Sequence, residues 1–251
     1  MQPGLDGYLW FNRRQRLVGV LFMVLLFVCS DALAEPWRQI TYEDGIRVSR
    51  KAVPGRDLPK FRGITTYNHS VFSILTVLDH VPSHTEWVHR CVDSRVIKNI
   101  TDFSRIIYNR TDAPWPVADR DMVVKTQAKV NLDNRTVELS FRAVPGHVGK
   151  KDGVVRIKRL LGSYLLEILG EEKTRVTYQI DTDPGGWLPN WLINMASKQL
   201  PLHTLGNLRS RLEKVKGRMD AAKLKSIWLE RLRKETGQVL TPDAIMSPPA
   251  R

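Results

Sequence analysis

Cysteine is scarce in this chain, which has only Cys29 and Cys91 among its 251 residues. Cys29 lies in an N-terminal segment with the features of a removable leader, and Val28 before it is not the small residue that lipid attachment requires. Cys91 then has no partner within the chain, so an intrachain disulfide is excluded even in an oxidising compartment. The fold must therefore be stabilised by an apolar core.

The sequence also lacks the short motifs that mark common catalytic sites. It contains no Gly-x-Ser-x-Gly, no His-Glu-x-x-His and no glycine-rich phosphate loop. His80, His84 and His89 invite a metal interpretation, since the first two have i, i+4 spacing. Pro82 lies between them and breaks the helix face that they would share. We therefore expect neither a metal nor a cofactor.

No apolar run is long enough to span a bilayer. The longest, 17–28, is shorter than the roughly 20 residues that a membrane helix needs. Charged residues precede this run and small residues follow it: Arg13, Arg14, Arg16, Ala32 and Ala34. This order predicts a secretory signal peptide at 1–34, with an uncleaved tether in the inner membrane as the alternative. The protein is then expected to be exported, to the periplasm of a Gram-negative bacterium.

Acidic residues are outnumbered, with 26 Asp and Glu against 39 Lys and Arg and a net charge of +13. Removing 1–34 takes away three arginines and two aspartates, so the mature chain keeps a charge of +12. Export argues against nucleic acid as the partner of this charge. Anionic lipid headgroups are one alternative, and a solvated basic face without a partner is the other.

Turn signals punctuate 37–144 and 154–182 at short intervals, which favours an antiparallel sheet. The clearest breaks are Glu43-Asp44-Gly45, Pro54-Gly55, Asp133-Asn134, Pro145-Gly146 and Asp183-Pro184-Gly185-Gly186. After Asp121, one face of a strand carries Met122, Val124, Thr126, Ala128 and Val130. Residues 137–143 repeat the alternation, and 175–181 do so again. The sheet thus has an apolar face that another element must cover.

Helical patterns supply that cover. Ser70 is predicted to cap a short helix that ends at Pro82, and a second short helix follows through Trp87. A long helix is predicted from Pro189, with a kink at Pro201. Its apolar stripe comprises Leu188, Leu192, Met195, Leu202, Leu205, Leu212 and Val215. After Gly217, a second amphipathic stretch places Leu224, Ile227, Trp228 and Leu232 on one face.

Two phrases resemble the START (StAR-related lipid-transfer) family. They are Pro114-Trp115-Pro116-Val117-Ala118-Asp119-Arg120-Asp121 before the alternating strand, and Asp183-Pro184-Gly185-Gly186-Trp187-Leu188-Pro189-Asn190-Trp191 before the long helix. The opening Asp44-Gly45-Ile46-Arg47-Val48 and the stretch 87–97 fit the family as well. The resemblance covers 37–216. Together with the leader signals, it predicts three parts: a signal peptide (1–34), a START domain (35–216) and a basic amphipathic helical extension with a tail (217–251).

The resemblance implies an α+β helix-grip (START / Bet v 1-like) fold, in which a C-terminal helix closes a curved antiparallel sheet around an apolar cavity. It implies a non-catalytic, monomeric protein that binds and shuttles one hydrophobic ligand: a lipid, a sterol-like molecule or a fatty acyl molecule. The expected lipid-binding residues are Asp93, Arg120, Met122, Val124, Thr126, Ala128, Tyr178, Trp187, Leu192 and Met195.

Two of these residues carry open questions. Family members often direct an acid into the cavity at the position of Asp93, and several pair it with an arginine where this chain has Thr126. That departure puts a headgroup-binding ion pair in doubt and favours a neutral, hydroxyl-type anchor. Arg120 shares the inward face with Met122 and is expected at the cavity mouth, paired either with a neighbouring carboxylate, Asp119 or Asp121, or with the ligand.

Other functions are compatible with the same scaffold. An enzyme of the cyclase, aromatase or hydrolase type would need an inward acid–base pair, for which the sequence offers only Asp93 with Tyr108 and Tyr178 as helpers. A non-transporting partner of an envelope complex is a third hypothesis. Within 209–234, ten Lys or Arg accompany the apolar stripe of Trp228, so this segment either contacts an anionic membrane peripherally or packs on the domain.

We predict that the exported form begins at Glu35, because Ala32 and Ala34 flank the expected cleavage point. The intact mass of protein recovered from the periplasm measures this directly. A mass that retains 1–34 would contradict the freely diffusing carrier and support the tethered alternative.

Overall fold

The computed structural model describes residues 36–56, 58–218 and 220–236, with the side chains of 190–197, 221, 235 and 236 left outside the description. Within these ranges ten strands form one sheet in the order β1-β2-β3-β10-β9-β7-β6-β5-β4, with β8 attached in parallel to β6. The strands are β1 Arg38–Glu43, β2 Ile46–Lys51, β3 Lys60–Tyr67, β4 Cys91–Thr101, β5 Ser104–Thr111, β6 Asp119–Asn131, β7 Thr136–Ala143, β8 Val154–Arg156, β9 Arg159–Gly170 and β10 Lys173–Asp183. The predicted antiparallel sheet is confirmed.

Two short helices lie between β3 and β4, as the capping signal predicts. Helix α1 spans Val71–Asp79, and the Ser70 hydroxyl accepts a hydrogen bond from the Ser73 amide at 3.2 Å. A 3-10 turn at Val81–Ser83 contains Pro82, and α2 follows at His84–Trp87. The imidazole Nε2 of His84 lies 2.9 Å from the carbonyl oxygen of Leu78, so this nitrogen forms a hydrogen bond with the backbone.

The long helix α3, Asn190–Lys216, covers one end of the sheet. It begins one residue after Pro189, which takes the capping position, and it continues through Pro201. Leu205, Leu208 and Leu212 are fully buried against β2 and β3. Gly63 on β3 makes this approach feasible, since a Cβ there would lie 2.6 Å from Leu205 Cδ1 and 3.1 Å from Pro201 Cβ.

A last helix, α4, spans Ala221–Thr236 and packs on α1. Its Trp228 is 4% exposed and donates its indole N–H to the Thr76 hydroxyl at 3.3 Å, and Arg231 pairs with Asp79 at 2.8 Å. The apolar stripe of this segment therefore contacts the domain in this structure. Basic side chains that remain exposed are Lys214, Lys216, Arg218, Lys223, Arg233 and Lys234, and their contact with an anionic membrane stays a prediction.

We predict that Trp228→Ala lowers the free energy of unfolding by about 3 kcal/mol, because it removes a buried aromatic ring and leaves a cavity between α4 and α1. Ile227→Ala, at a neighbouring side chain that is 39% exposed, should change it by about 0.5 kcal/mol or less. Denaturant unfolding of the two variants measures the difference. Equal stabilities would show that α4 does not pack on α1 in solution.

Candidate functional site

A cavity of about 350 Å³ lies between the sheet and the start of α3. Its wall is mainly apolar and aromatic and is built from the inward side chains of several strands together with the end of α1. Representative wall residues are Phe61, Leu78, Trp87, Ile107, Leu139 and Leu160. Protein pockets for small ligands commonly enclose about 300–1,000 Å³, so this cavity has the size and the lining of a binding site for an apolar molecule.

Strand alternation on β6 builds one wall of the cavity. Arg120, Met122, Val124 and Thr126 all line it, in agreement with their predicted shared face. Val123, between them, points to the other side of the sheet and packs in a separate buried cluster with Ile106 and Tyr108. Tyr108 is thus on the outer side, where its hydroxyl donates to Asp121, and it is not available to a ligand in the cavity.

Three aromatic rings form the opposite part of the wall. Tyr178 on β10 pairs with Tyr164 on β9, and their ring centroids are 4.7 Å apart, with Phe141 of β7 beside both. Burial raises the pKa of both tyrosine hydroxyls, which therefore stay neutral. Neither hydroxyl has a hydrogen-bond partner among the described residues. They can donate to or accept from a polar group of a ligand.

Arg120 is a charged residue of the cavity wall, next to the loop that precedes α3. It is only 6% exposed, and its guanidinium donates to the carbonyl oxygens of Ala118, Gly185 (3.2 Å) and Trp187 (3.3 Å). Its Nε has no partner among the described residues. Desolvation lowers the pKa of Arg120, although a guanidinium remains protonated at any physiological pH.

The two neighbouring acids do not pair with Arg120, which argues against the first of the two sequence-based alternatives; pairing with a ligand stays a prediction. Asp119 accepts hydrogen bonds from Arg110 at 2.6 and 2.8 Å, and Asp121 from Arg156 at 2.6 and 2.9 Å. Both carboxylates point away from the cavity because they alternate with Arg120 along the strand. Arg120 is held by backbone carbonyls alone.

Asp93 does not line the cavity, contrary to expectation. The pairing of β4 with β5 shifts between Cys91 and Asp93, so Cys91 lines the cavity whereas Asp93, two residues later, does not. The Asp93 carboxylate pairs with Arg95 at 2.5 Å and with Lys151 at 3.9 Å. Asp93 was expected in the cavity from its position in the family pattern, and the irregular pairing at this point of the strand, which such a position does not reveal, turns it away.

The other predicted residues are placed as follows. Tyr178 lies in the wall, and Ala128 packs on the hydrophobic core without lining the cavity. Trp187 is 69% exposed and adjoins Leu188, which does line it. Leu192 and Met195 have side chains outside the description. Tyr164 was missed because β9 is apolar on both faces and shows no alternation from which an inward side could be recognised.

The remaining titratable groups of the wall are paired or neutral. Arg105 pairs with Asp79 at 2.5 Å, and Arg90 pairs with Asp112 at 2.7 Å. Burial is the main cause that lowers the pKa of His84, and burial raises the pKa of the Cys91 thiol to about 11, so both stay uncharged near neutrality. Among the described residues no group of three or more His, Cys, Asp or Glu side chains is arranged to hold a metal ion.

Two exposed tryptophans are chain neighbours of residues in the cavity wall. Trp115 is 91% exposed and follows Pro114, a wall residue, in the loop between β5 and β6. Trp187, in the loop before α3, stands next to wall residue Leu188.

None of the described helices is long and apolar enough to cross a membrane.

Comparison with known proteins assigns this architecture to a family. The model of the START domain matches residues 46–218, and the chain therefore belongs to the START domain family. An uncharacterized protein of Pseudomonas aeruginosa is 34% identical over 195 residues, covering 78% of this chain and 96% of that protein. The phosphatidylcholine transfer protein of Rattus norvegicus is 27% identical over 175 residues, covering 64% of this chain and 77% of its own.

Solved structures agree with the assignment. The STAR-related lipid transfer protein of Xanthomonas axonopodis superposes with a TM-score of 0.65 at 31% identity, covering 70% of this chain and 98% of the other. The human StAR-related lipid transfer protein 5 gives a TM-score of 0.63 at 19% identity, covering 82% and 99%, and shows the shared fold. The predicted family and the helix-grip fold class are confirmed.

We predict that Thr126→Trp abolishes uptake of a fluorescent lipid, because Thr126 lines the cavity and a larger side chain would fill it. Overpacking typically lowers stability by about 1–3 kcal/mol, so circular dichroism and thermal unfolding accompany the binding titration. Gln127→Trp is the matched control, since the adjacent side chain is exposed on the other face of β6. Unchanged binding by the folded Thr126 variant would mean that this strand does not line the ligand site.

Proposed function

We propose that this protein is a non-catalytic carrier that holds one hydrophobic ligand in the cavity and shuttles it between membranes of the periplasm. The observation that carries the proposal is the apolar cavity enclosed by the sheet and α3. Each methylene of a ligand buried there contributes about 0.8 kcal/mol, so an acyl chain of ten carbons gains about 8 kcal/mol before the costs of association. The similarity to the rat phosphatidylcholine transfer protein and to the STAR-related lipid transfer protein of Xanthomonas axonopodis supports the same class of activity.

The chemistry of the wall favours binding over catalysis. General acid–base catalysis needs a group whose pKa lies near the operating pH and which is free to exchange a proton. In the described wall the carboxylates are paired with arginines, His84 is bonded to a carbonyl, and the Cys91 thiol is held protonated by burial. These arrangements support a site that holds its ligand chemically unchanged.

Two loops next to the cavity wall support direct contact with a bilayer. Trp115 and Trp187 are exposed on these loops. Indole rings favour the interface between water and lipid, because they combine a large apolar surface with one N–H donor. In this proposal the carrier approaches a membrane with these rings foremost, so that the ligand passes between bilayer and cavity without crossing water.

The experiment measures bound ligand and transfer with one preparation. Mature protein is analysed by native mass spectrometry and organic extraction, and transfer of a fluorescent phospholipid is followed between donor and acceptor vesicles. We expect about one apolar ligand per chain and measurable transfer. Replacing Trp115 and Trp187 together by alanine should slow transfer several-fold while leaving equilibrium binding nearly unchanged, because the rings lie outside the cavity.

The exposed Tyr42, on β1, provides the matched control, and Tyr42→Ala should leave the transfer rate unchanged. A protein that carries no lipid and takes none up from vesicles would refute the carrier. Bound ligand without transfer would favour a ligand-dependent partner of an envelope complex, and a chemically altered ligand would favour an enzyme.

A further inference from the structure

The cavity wall has more positively charged than negatively charged side chains. Among the described residues five charged groups line the cavity: Asp79, Arg90, Arg105, Asp112 and Arg120. The first four form two ion pairs within the wall, at 2.5 and 2.7 Å. Arg120 alone lacks a carboxylate partner within the part of the chain that the structure describes. The described wall therefore carries one unpaired positive charge, next to the loop that precedes α3.

Among the described residues no carboxylate forms a direct ion pair with Arg120, although the charge of Asp119 acts on it from a distance and raises its pKa. Asp119 and Asp121 face the opposite side of the sheet and are occupied by Arg110 and Arg156. A guanidinium offers five N–H donors, of which three are used by backbone carbonyls here, and Nε is without an acceptor. Burial of a cation without a counter-ion is unfavourable, so an anion placed at this point would stabilise the site.

The position of Arg120 fits the polar end of a long apolar ligand. Along β6 it is followed on the same face by Met122, Val124 and Thr126. The charged end of this strand is therefore continuous with a mainly apolar stretch of the wall. Its guanidinium also holds the loop before α3 through the carbonyl oxygens of Gly185 and Trp187. Nη1 donates to one backbone carbonyl and so keeps one N–H, and hydrogen bonds from a charged guanidinium to a carboxylate or a phosphate are strong.

We propose that the ligand of this cavity carries an anionic oxygen group, a carboxylate or a phosphate, and that Arg120 binds this group while the hydrocarbon lies along β6. This inference rests on the proposed function, since it specifies the ligand of the same cavity. It replaces the neutral anchor expected from Thr126, because the positive charge comes from another position on the same face of the strand.

The test uses pairs of fluorescent probes that share their hydrocarbon and differ in the charge of the polar group. One pair is a fatty acid and the corresponding fatty alcohol, and the other is phosphatidic acid and diacylglycerol with identical chains. Binding to the mature protein is titrated at a pH where the acid groups are ionised. We expect the anionic member of at least one pair to bind about tenfold or more tightly, the range of a charge-assisted hydrogen bond.

Substitutions then assign that preference to one side chain. Arg120→Met should bring the ratio of anionic-probe affinity to neutral-probe affinity close to one, whereas loss of its bonds to Gly185 and Trp187 would change both affinities alike. Arg175→Met is the matched control, because Arg175 is an exposed arginine of β10 paired with Glu167 and absent from the cavity wall. Arg120→Lys keeps the charge and should keep part of the preference, which also covers the case in which the methionine variant fails to fold.

The outcomes are separable. A preference confined to the fatty acid identifies a carboxylate, and one confined to phosphatidic acid identifies a phosphate. Equal affinities for charged and neutral probes would overturn the inference and leave the carrier intact, as would a preference that survives Arg120→Met. A protein that binds no probe of either pair refutes the proposed function itself.

Discussion

The contact between α3 and strands β2 and β3 is the interaction on which the rest of the structure depends. Three leucines of the helix, Leu205, Leu208 and Leu212, are removed from water there. The approach is close because Gly63 has no side chain where the helix crosses the strand. The same helix also contributes Gln199 and Leu200 to the cavity wall, so a single element both completes the core and lines the space that a ligand would occupy.

The cavity and the outer ion pairs are two results of the same strand alternation. On β6, the residues facing inward supply Arg120 and an apolar lining, whereas those facing outward supply Asp119 and Asp121 to arginines of neighbouring strands. Consequently the carboxylates of β6 form ion pairs on the outer side of the sheet, whereas the Arg120 guanidinium on the inner side has no carboxylate partner among the described residues. The apolar wall provides affinity for hydrocarbon, and the cation provides a basis for selecting among apolar molecules that differ in charge.

The C-terminal helix α4 adds to this arrangement beyond the residues that the family model matches. The carboxylate of Asp79, at the end of α1, forms ion pairs with Arg105 of the cavity wall and with Arg231 of α4, so it links the extension to the wall. Trp228 fills the space between α4 and α1. The basic residues of the extension consequently lie on a helix that the domain holds in place.

The secondary structure, the Ser70 cap and the inward face of β6 could be predicted from local sequence patterns, because alternation and capping depend on residues close in sequence. The sequence motifs around Arg120 and Trp187 were sufficient to identify the family. Tertiary structure decided the rest: a bulge turned Asp93 outward, pairing across the sheet occupied Asp119 and Asp121, and packing on α1 buried Trp228. Each depends on residues distant in sequence, whose contacts no local pattern specifies.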